Sequence, residues 1–307
     1  MQPLRGILFK TLSVCTFMAM ASLIKAASAE VPPGQAVFFR SFFALPIILG
    51  WLAIRGELAT GWKTSNPVGH FWRGLVGTSA MGLMFTGLGL LPLPEVTAIG
   101  YAAPLLVVVF AAMFLDEKVG LYRLSAVLLG MVGVLIVLSP RLTIGVGLST
   151  GETLGAVVVL MGAVMAALAQ VFVRKLVQTE GTAAIVFWFS VTSALLALCT
   201  LPWGWAWPSW TAVLMLVMAG LLGGTGQIFL TSSYRYADAS LVAPFEYTSM
   251  ILALGIGYFV FAEVPTGPML LGAGIVISAG VLIIWRERVL GLQRAQQRKA
   301  MGQMGGK

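Results

Sequence analysis

Five side chains in this strongly apolar chain could bind or move a polar solute: Tyr101, Gln170, Gln227, Glu246 and Tyr247. Glu246 stands between Phe245 and Tyr247, eight residues into an apolar run, a depth of about 12 Å at the helical rise. An ionisable group there must face protein or water. Apolar surroundings disfavour its charged form, so it is expected either to take up a proton and couple solute movement to a gradient, or to pair with a cation. Gln170 and Gln227 offer donors and acceptors to a ligand or to another helix. Tyr101 and Tyr247 each join an apolar face to a polar tip, which suits a flat, partly polar solute.

Other polar residues read as structural. Arg40 lies about 9 Å into its apolar run and can snorkel outward, as can Lys25. Glu117 and Glu263 close apolar runs and fit helix-capping or turn carboxylates. The aromatics Phe38, Phe39, Phe42, Phe43, Phe187, Trp188 and Phe189 are expected to face lipid or to pack. Cys15 and Cys199 sit inside apolar runs as small core residues. The single histidine, His70, falls at a helix start, and the sequence holds no His or Cys cluster and no phosphate-cradling loop. No catalytic residue, metal or cofactor is therefore expected, and the chain does not read as an enzyme.

The elements that position these groups are membrane helices. Of 307 residues 59% are hydrophobic and 10% charged, with a mean hydropathy of +0.95, whereas soluble domains carry roughly 25% charged residues. The net charge of +8 reflects a bias of basic residues toward one membrane face, and no nucleic-acid partner is expected. Ten apolar spans follow: 5–27, 34–54, 69–90, 93–114, 120–138, 152–174, 182–201, 209–233, 239–262 and 267–285. Each has the length a helix needs to cross the hydrocarbon. Pro and Gly punctuate the short loops. The first span also resembles a signal peptide, since Arg5 and Lys10 precede an apolar stretch and Ala27-Ser28-Ala29 imitates a cleavage site, but its counterpart in mid-chain favours a retained helix.

That counterpart belongs to a repeat. At a shift of 146, Tyr101 falls on Tyr247, Glu117 on Glu263, Gly74 on Gly220 and Gly77 on Gly223; upstream the shift is 149, setting Lys25 on Arg174, Phe38 on Phe187 and Ser41 on Ser190. Beyond the acidic turn it is 147, with Ala126 on Ala273 and Gly133 on Gly280. Loop insertions account for such drifts. Residues 1–144 and 145–289 thus read as two five-helix repeats, followed by a basic cytoplasmic tail at 290–307. Because five is odd, the second repeat enters the membrane from the opposite side, as in secondary transporters with inverted halves.

Basic residues orient the chain. With the N-terminus inside, 16 of the 19 Lys and Arg are cytoplasmic and only Lys25, Arg40 and Arg141 lie on the other side. Both termini are then cytoplasmic, and the Trp-rich stretch Pro202–Trp210 is an outer interfacial anchor. Glycines 82, 87 and 89, 220, 223, 224 and 226, 130 and 133, and 272, 274 and 280 are expected to let helices approach closely.

The stretch Val37–Ser41, the Pro104-containing fourth span ending in Leu115-Asp116-Glu117, and the run Ala243–Val264 resemble the drug/metabolite transporter superfamily, specifically its EamA type. The likeness extends from about Arg5 to Trp285. It implies a bacterial inner-membrane carrier without ATP hydrolysis, its cavity formed by the first four helices of each half and its bundle closed by the fifth and tenth. Within that family the stretches around Val31–Ser41 and Leu91–Leu105 look most like the riboflavin-uptake branch, which implies a ring-bearing vitamin. Export of amino acids or related metabolites is the alternative; a channel or a membrane-embedded enzyme is further off. The partners expected are a small solute, the lipid bilayer, protons as coupling ion and a second copy of the chain as a homodimer.

Overall fold

The computed structural model describes residues 3–114, 121–142, 150–176, 179–236 and 243–304, and these form helices without strands. The elements are α1 (Pro3–Ala27), α2 (Pro33–Phe42), α3 (Ala44–Ile54), α4 (Pro67–Leu90), α5 (Leu93–Gly100), α6 (Ala102–Phe114) and α7 (Leu121–Leu142). They continue with α8 (Thr150–Leu176), α9 (Thr182–Leu198), α10 (Trp210–Tyr236), a 3-10 helix at Ala243–Tyr247, α11 (Thr248–Phe261) and α12 (Gly267–Met304). Six apolar segments are long enough to cross a membrane, and three shorter apolar helices accompany them. Glu117 and the side chain of Arg174 lie outside the described residues.

Two expected spans are broken, and proline explains both breaks. Pro46 and Pro104 each lack the N–H that would reach back four residues, to Phe42 and Gly100. Those are the last residues of α2 and α5, and each proline becomes the third residue of the next helix, where the amide has no intrahelical partner in any case. Phe43 and Tyr101 are the joints. Pro140 stays inside α7, and the carbonyl of Ile136 that it leaves free accepts from the Ser139 hydroxyl at 2.8 Å.

Helices meet in long pairs: α1 along α10, α4 along α8, α7 along α12, α2 and α3 against α9, and α5 against α11. The α7–α12 crossing brings backbone to backbone. A Cβ at Gly133 would stand 2.8 Å from the Gly272 carbonyl oxygen, and one at Gly272 would stand 2.5 Å from that of Gly133. Gly82 and Gly274, by contrast, have open space beside them, so close approach does not explain those two. Apolar stripes such as Leu154, Val157 and Met161 on α8 and Leu214 and Met218 on α10 face outward, as a lipid-embedded bundle requires.

The Trp-rich stretch Pro202–Trp210 is tied down by polar contacts. Gln35 exchanges two 3.0 Å hydrogen bonds with the backbone of Ala206. Ser209 caps α10, and its backbone N–H donates to the Glu30 carboxylate at 2.8 Å; that bond, with the Ser209 hydroxyl, holds the Glu30 carboxyl below its ordinary range. Trp203, Trp207 and Trp210 project outward, the arrangement expected of an interfacial anchor. Trp205 turns in against Phe38.

Candidate solute site

The joints in the fourth and ninth spans set Tyr101 and Tyr247 against each other. Their ring centroids are 5.1 Å apart at 74°, edge to face, and both residues are buried. The Tyr101 hydroxyl shares a 2.6 Å hydrogen bond with Ser249. Gly280 of α12 has no room for a Cβ because the Tyr247 phenol occupies that space. The repeat mates therefore do meet, and in this conformation they close over each other, joining α5, α6, α11 and α12.

Glu246 differs from its expected setting. The sequence suggests a carboxyl group deep in a regular helix, but residues 243–247 wind as a 3-10 helix and the Glu246 side chain is half exposed, 51%, and ion-paired with Lys10 of α1. The Lys10 side chain is itself buried. The acid is therefore paired and half exposed, not buried alone.

Gln170 is exposed and Gln227 partly buried. At 100° per residue each lies on the far side of its helix from the outward apolar stripe, so both turn toward the interior of the bundle. They are not adjacent: α8 packs on α4 and α10 on α1.

An ion pair and a hydrogen-bonded carboxylate lock the two ends of the bundle. Lys25 does not snorkel: its ammonium binds Glu263 at 2.9 Å and donates to the carbonyls of Leu88 and Leu91 at 3.2 and 2.7 Å. Glu263 in turn accepts from the Leu93 N–H at 2.8 Å, so it caps α5 of the other half and not its own helix. At the opposite end Glu180 accepts from the Ser65 and Asn66 amides at 2.8 and 2.9 Å and from Thr64 and Ser65 hydroxyls, with His70 at 3.6 Å. Burial opposes ionisation of Glu180, but these donors prevail and hold its carboxyl down at about 2.

Two arginines escaped the sequence reading. Arg40 turns inward instead of snorkelling, and Arg73, counted among the cytoplasmic charges, is buried one turn along α4 from His70. Their guanidinium carbons lie 5.5 and 3.5 Å from the ring centroid of Phe189 on α9, within cation–π range. A signal was available: the shift of 149 sets Arg40 on Phe189, just as the shift of 146 sets Gly77 on Gly223. At the C-terminal end of α1, Ile24, Val31, Ala36, Phe85 and Leu216 line an apolar cavity of about 230 Å³, a little below the usual size of small-molecule sites.

A bundle of apolar helices with ion pairs between its halves defines a multi-pass membrane protein. Comparison with known proteins names the class: residues 4–139 and 153–285 match the EamA-like transporter family, and the chain belongs to it. It is 26% identical to the S-adenosylmethionine uptake transporter of Rickettsia felis, over 93% of this chain and 94% of that one. It is 29% identical to the pseudopaline exporter of Pseudomonas aeruginosa, over 91% and 93%, and 28% identical to the riboflavin transporter of Rhizobium johnstonii, over 92% and 89%. A crystal structure at 20% identity shares the fold with a TM-score of 0.66, covering 93% of this chain and 98% of that one. The family is one of transporters, not enzymes.

Proposed function

We propose that this transporter is an alternating-access carrier built from two inverted five-helix halves, ten spans in all, with its solute site between them. One observation carries the reading. Exchanging the halves in the repeat register turns α1 into α8 and α4 into α10, so the pairs α1–α10 and α4–α8 are one contact made twice. The pairs α2 and α3 with α9, and α7 with α12, each join an element to its own repeat mate; α5 with α11 joins the fourth span to the ninth, and α4 with α9 is matched by α10 with α2 and α3. A packing scheme that maps onto itself is what two equivalent halves need to exchange outward-open and inward-open shapes.

The carrier belongs in a bacterial inner membrane with both termini cytoplasmic, a reading supported by the distribution of basic residues. The first candidate solute is a ring-bearing vitamin such as riboflavin, taken up into the cell. The paired tyrosines, the inward glutamines and the Rhizobium johnstonii relative named for riboflavin support it. Relatives named for S-adenosylmethionine uptake and for pseudopaline export favour a second reading, a solute carrying amino-acid-like charge, moved in either direction.

Proteoliposomes decide between these readings. Saturable uptake of labelled riboflavin, accelerated by unlabelled riboflavin on the opposite side, is the expected result, and the same behaviour with S-adenosylmethionine alone would select the second reading. Non-saturating conductance would mark a channel.

A further inference from the structure

We propose that Arg40 and Arg73 bind an anionic group, a carboxylate or phosphate, at the centre of the bundle. Both residues are more than nine-tenths buried, at 5% and 7% exposure, and Nε and Nη1 of each have no hydrogen-bond partner among the described residues. Two buried cations with unspent donors are costly, all the more inside a membrane. Phe189 offers its ring face to both, but a π face leaves the forked N–H donors unused. No carboxylate among the described side chains supplies the missing charge: Glu246 pairs with Lys10, Glu263 with Lys25, Glu95 and Glu152 with Arg141, Glu57 with Arg55, Glu180 lies against His70, and Glu30 accepts from Ser209. A guanidinium fork matches a carboxylate or phosphate in two parallel hydrogen bonds. The buried Ser41 hydroxyl, next to Arg40 on α2, is also without a partner and is a further donor.

The surroundings are shaped for these two side chains. A Cβ at Gly77 of α4 would lie 2.4 Å from Arg73 Nη1 and 2.9 Å from the Phe189 ring, and one at Gly223 of α10 would lie 3.0 Å from Arg40 Nε. Gly77 and Gly223 are repeat mates, and so are Arg40 and Phe189. The site is therefore assembled where equivalent positions of the two halves converge, which is where a carrier with inverted halves holds its solute. Its meaning for transport rests on the carrier reading above; its occupancy does not.

Melting of the purified protein in a neutral detergent tests occupancy. At constant ionic strength, citrate and inorganic phosphate should raise Tm saturably in the wild type and in the surface control Arg55→Gln. Arg40→Gln and Arg73→Gln should each need at least about tenfold more citrate, the loss expected for one charge-assisted hydrogen bond, without a fall in Tm when citrate is absent. Should either variant fail to fold, Arg73→Lys, which keeps the charge and loses the fork, should give the same weakened response. A wild type indifferent to both anions overturns the proposal, as does a citrate response unchanged in the variants. Repeating the titration in phosphatidylglycerol and phosphatidylcholine nanodiscs separates two sources of the anion: competition by phosphatidylglycerol assigns the site to a lipid phosphate, and equal responses assign it to a soluble anion. Saturable citrate binding without any counterflow in proteoliposomes would retain the site and remove the carrier reading.

Discussion

At the scale of single residues, the tyrosine pair and the Lys10–Glu246 pair carry the transport proposals. Tyr101 and Tyr247 now seal against each other, so they reach solute only when the halves part. Because an aromatic contact is worth on the order of 1 kcal/mol, Tyr101→Ala or Tyr247→Ala should weaken apparent affinity several-fold in flux assays with expression retained. Unchanged transport accompanied by a lower Tm would make the pair a packing device only. Glu246→Gln keeps shape and hydrogen bonding but releases Lys10 from its ion pair; it should abolish gradient-driven accumulation while exchange of labelled for unlabelled solute persists. A variant that still concentrates solute on a pH gradient would assign the pair to packing. That Tyr101 and Tyr247 are repeat mates was legible in the sequence, but their packing on each other was not, because the repeat alone does not say how far the two positions lie from its axis. Nor was the inward turn of Arg40 and Arg73, because a long cationic side chain near a helix end can snorkel or fold in, and only the packing around it decides.

At the scale of elements, the all-helical, apolar character of the chain was readable from composition, whereas the breaks at Phe43 and Tyr101 and the partners of each acid were not. Glu263 was expected to cap, and it does, but at α5 in the other half of the chain. Glu180 drew no attention in the sequence, because a lone acid in a polar turn looks solvated. It anchors the α8–α9 turn to the start of α4, and its folded carboxyl sits at about 2, below the ordinary carboxylate value. A depressed acid of this kind stabilises the folded state fully above the unfolded value, and the benefit is lost as pH falls from there through the folded value. The Tm advantage of wild type over Glu180→Gln in detergent should therefore be constant above about pH 5 and shrink steadily toward pH 2. A difference that does not change across that window would show that these hydrogen bonds do not depend on ionisation.

At the scale of the molecule, the claim is that two equivalent halves lie in opposite orientations around one site. The repeat register was visible in the sequence as matched glycines, tyrosines and acids, and the self-mapping of the helix pairs supports it. Orientation is a separate matter, because the helix bundle alone has no inside or outside; only the basic residues speak to it. Ser65 precedes α4 and Ser209 precedes α10, so they occupy matching places in the two halves. Ser65→Cys and Ser209→Cys, each in a background with Cys15 and Cys199 replaced by alanine, can be exposed to a membrane-impermeant maleimide in intact cells. The inverted arrangement predicts modification at position 209 and protection at position 65 until the membrane is opened. Labelling of 65 alone would keep the inversion and contradict the cytoplasmic termini; equal labelling of the two positions would contradict the inversion itself.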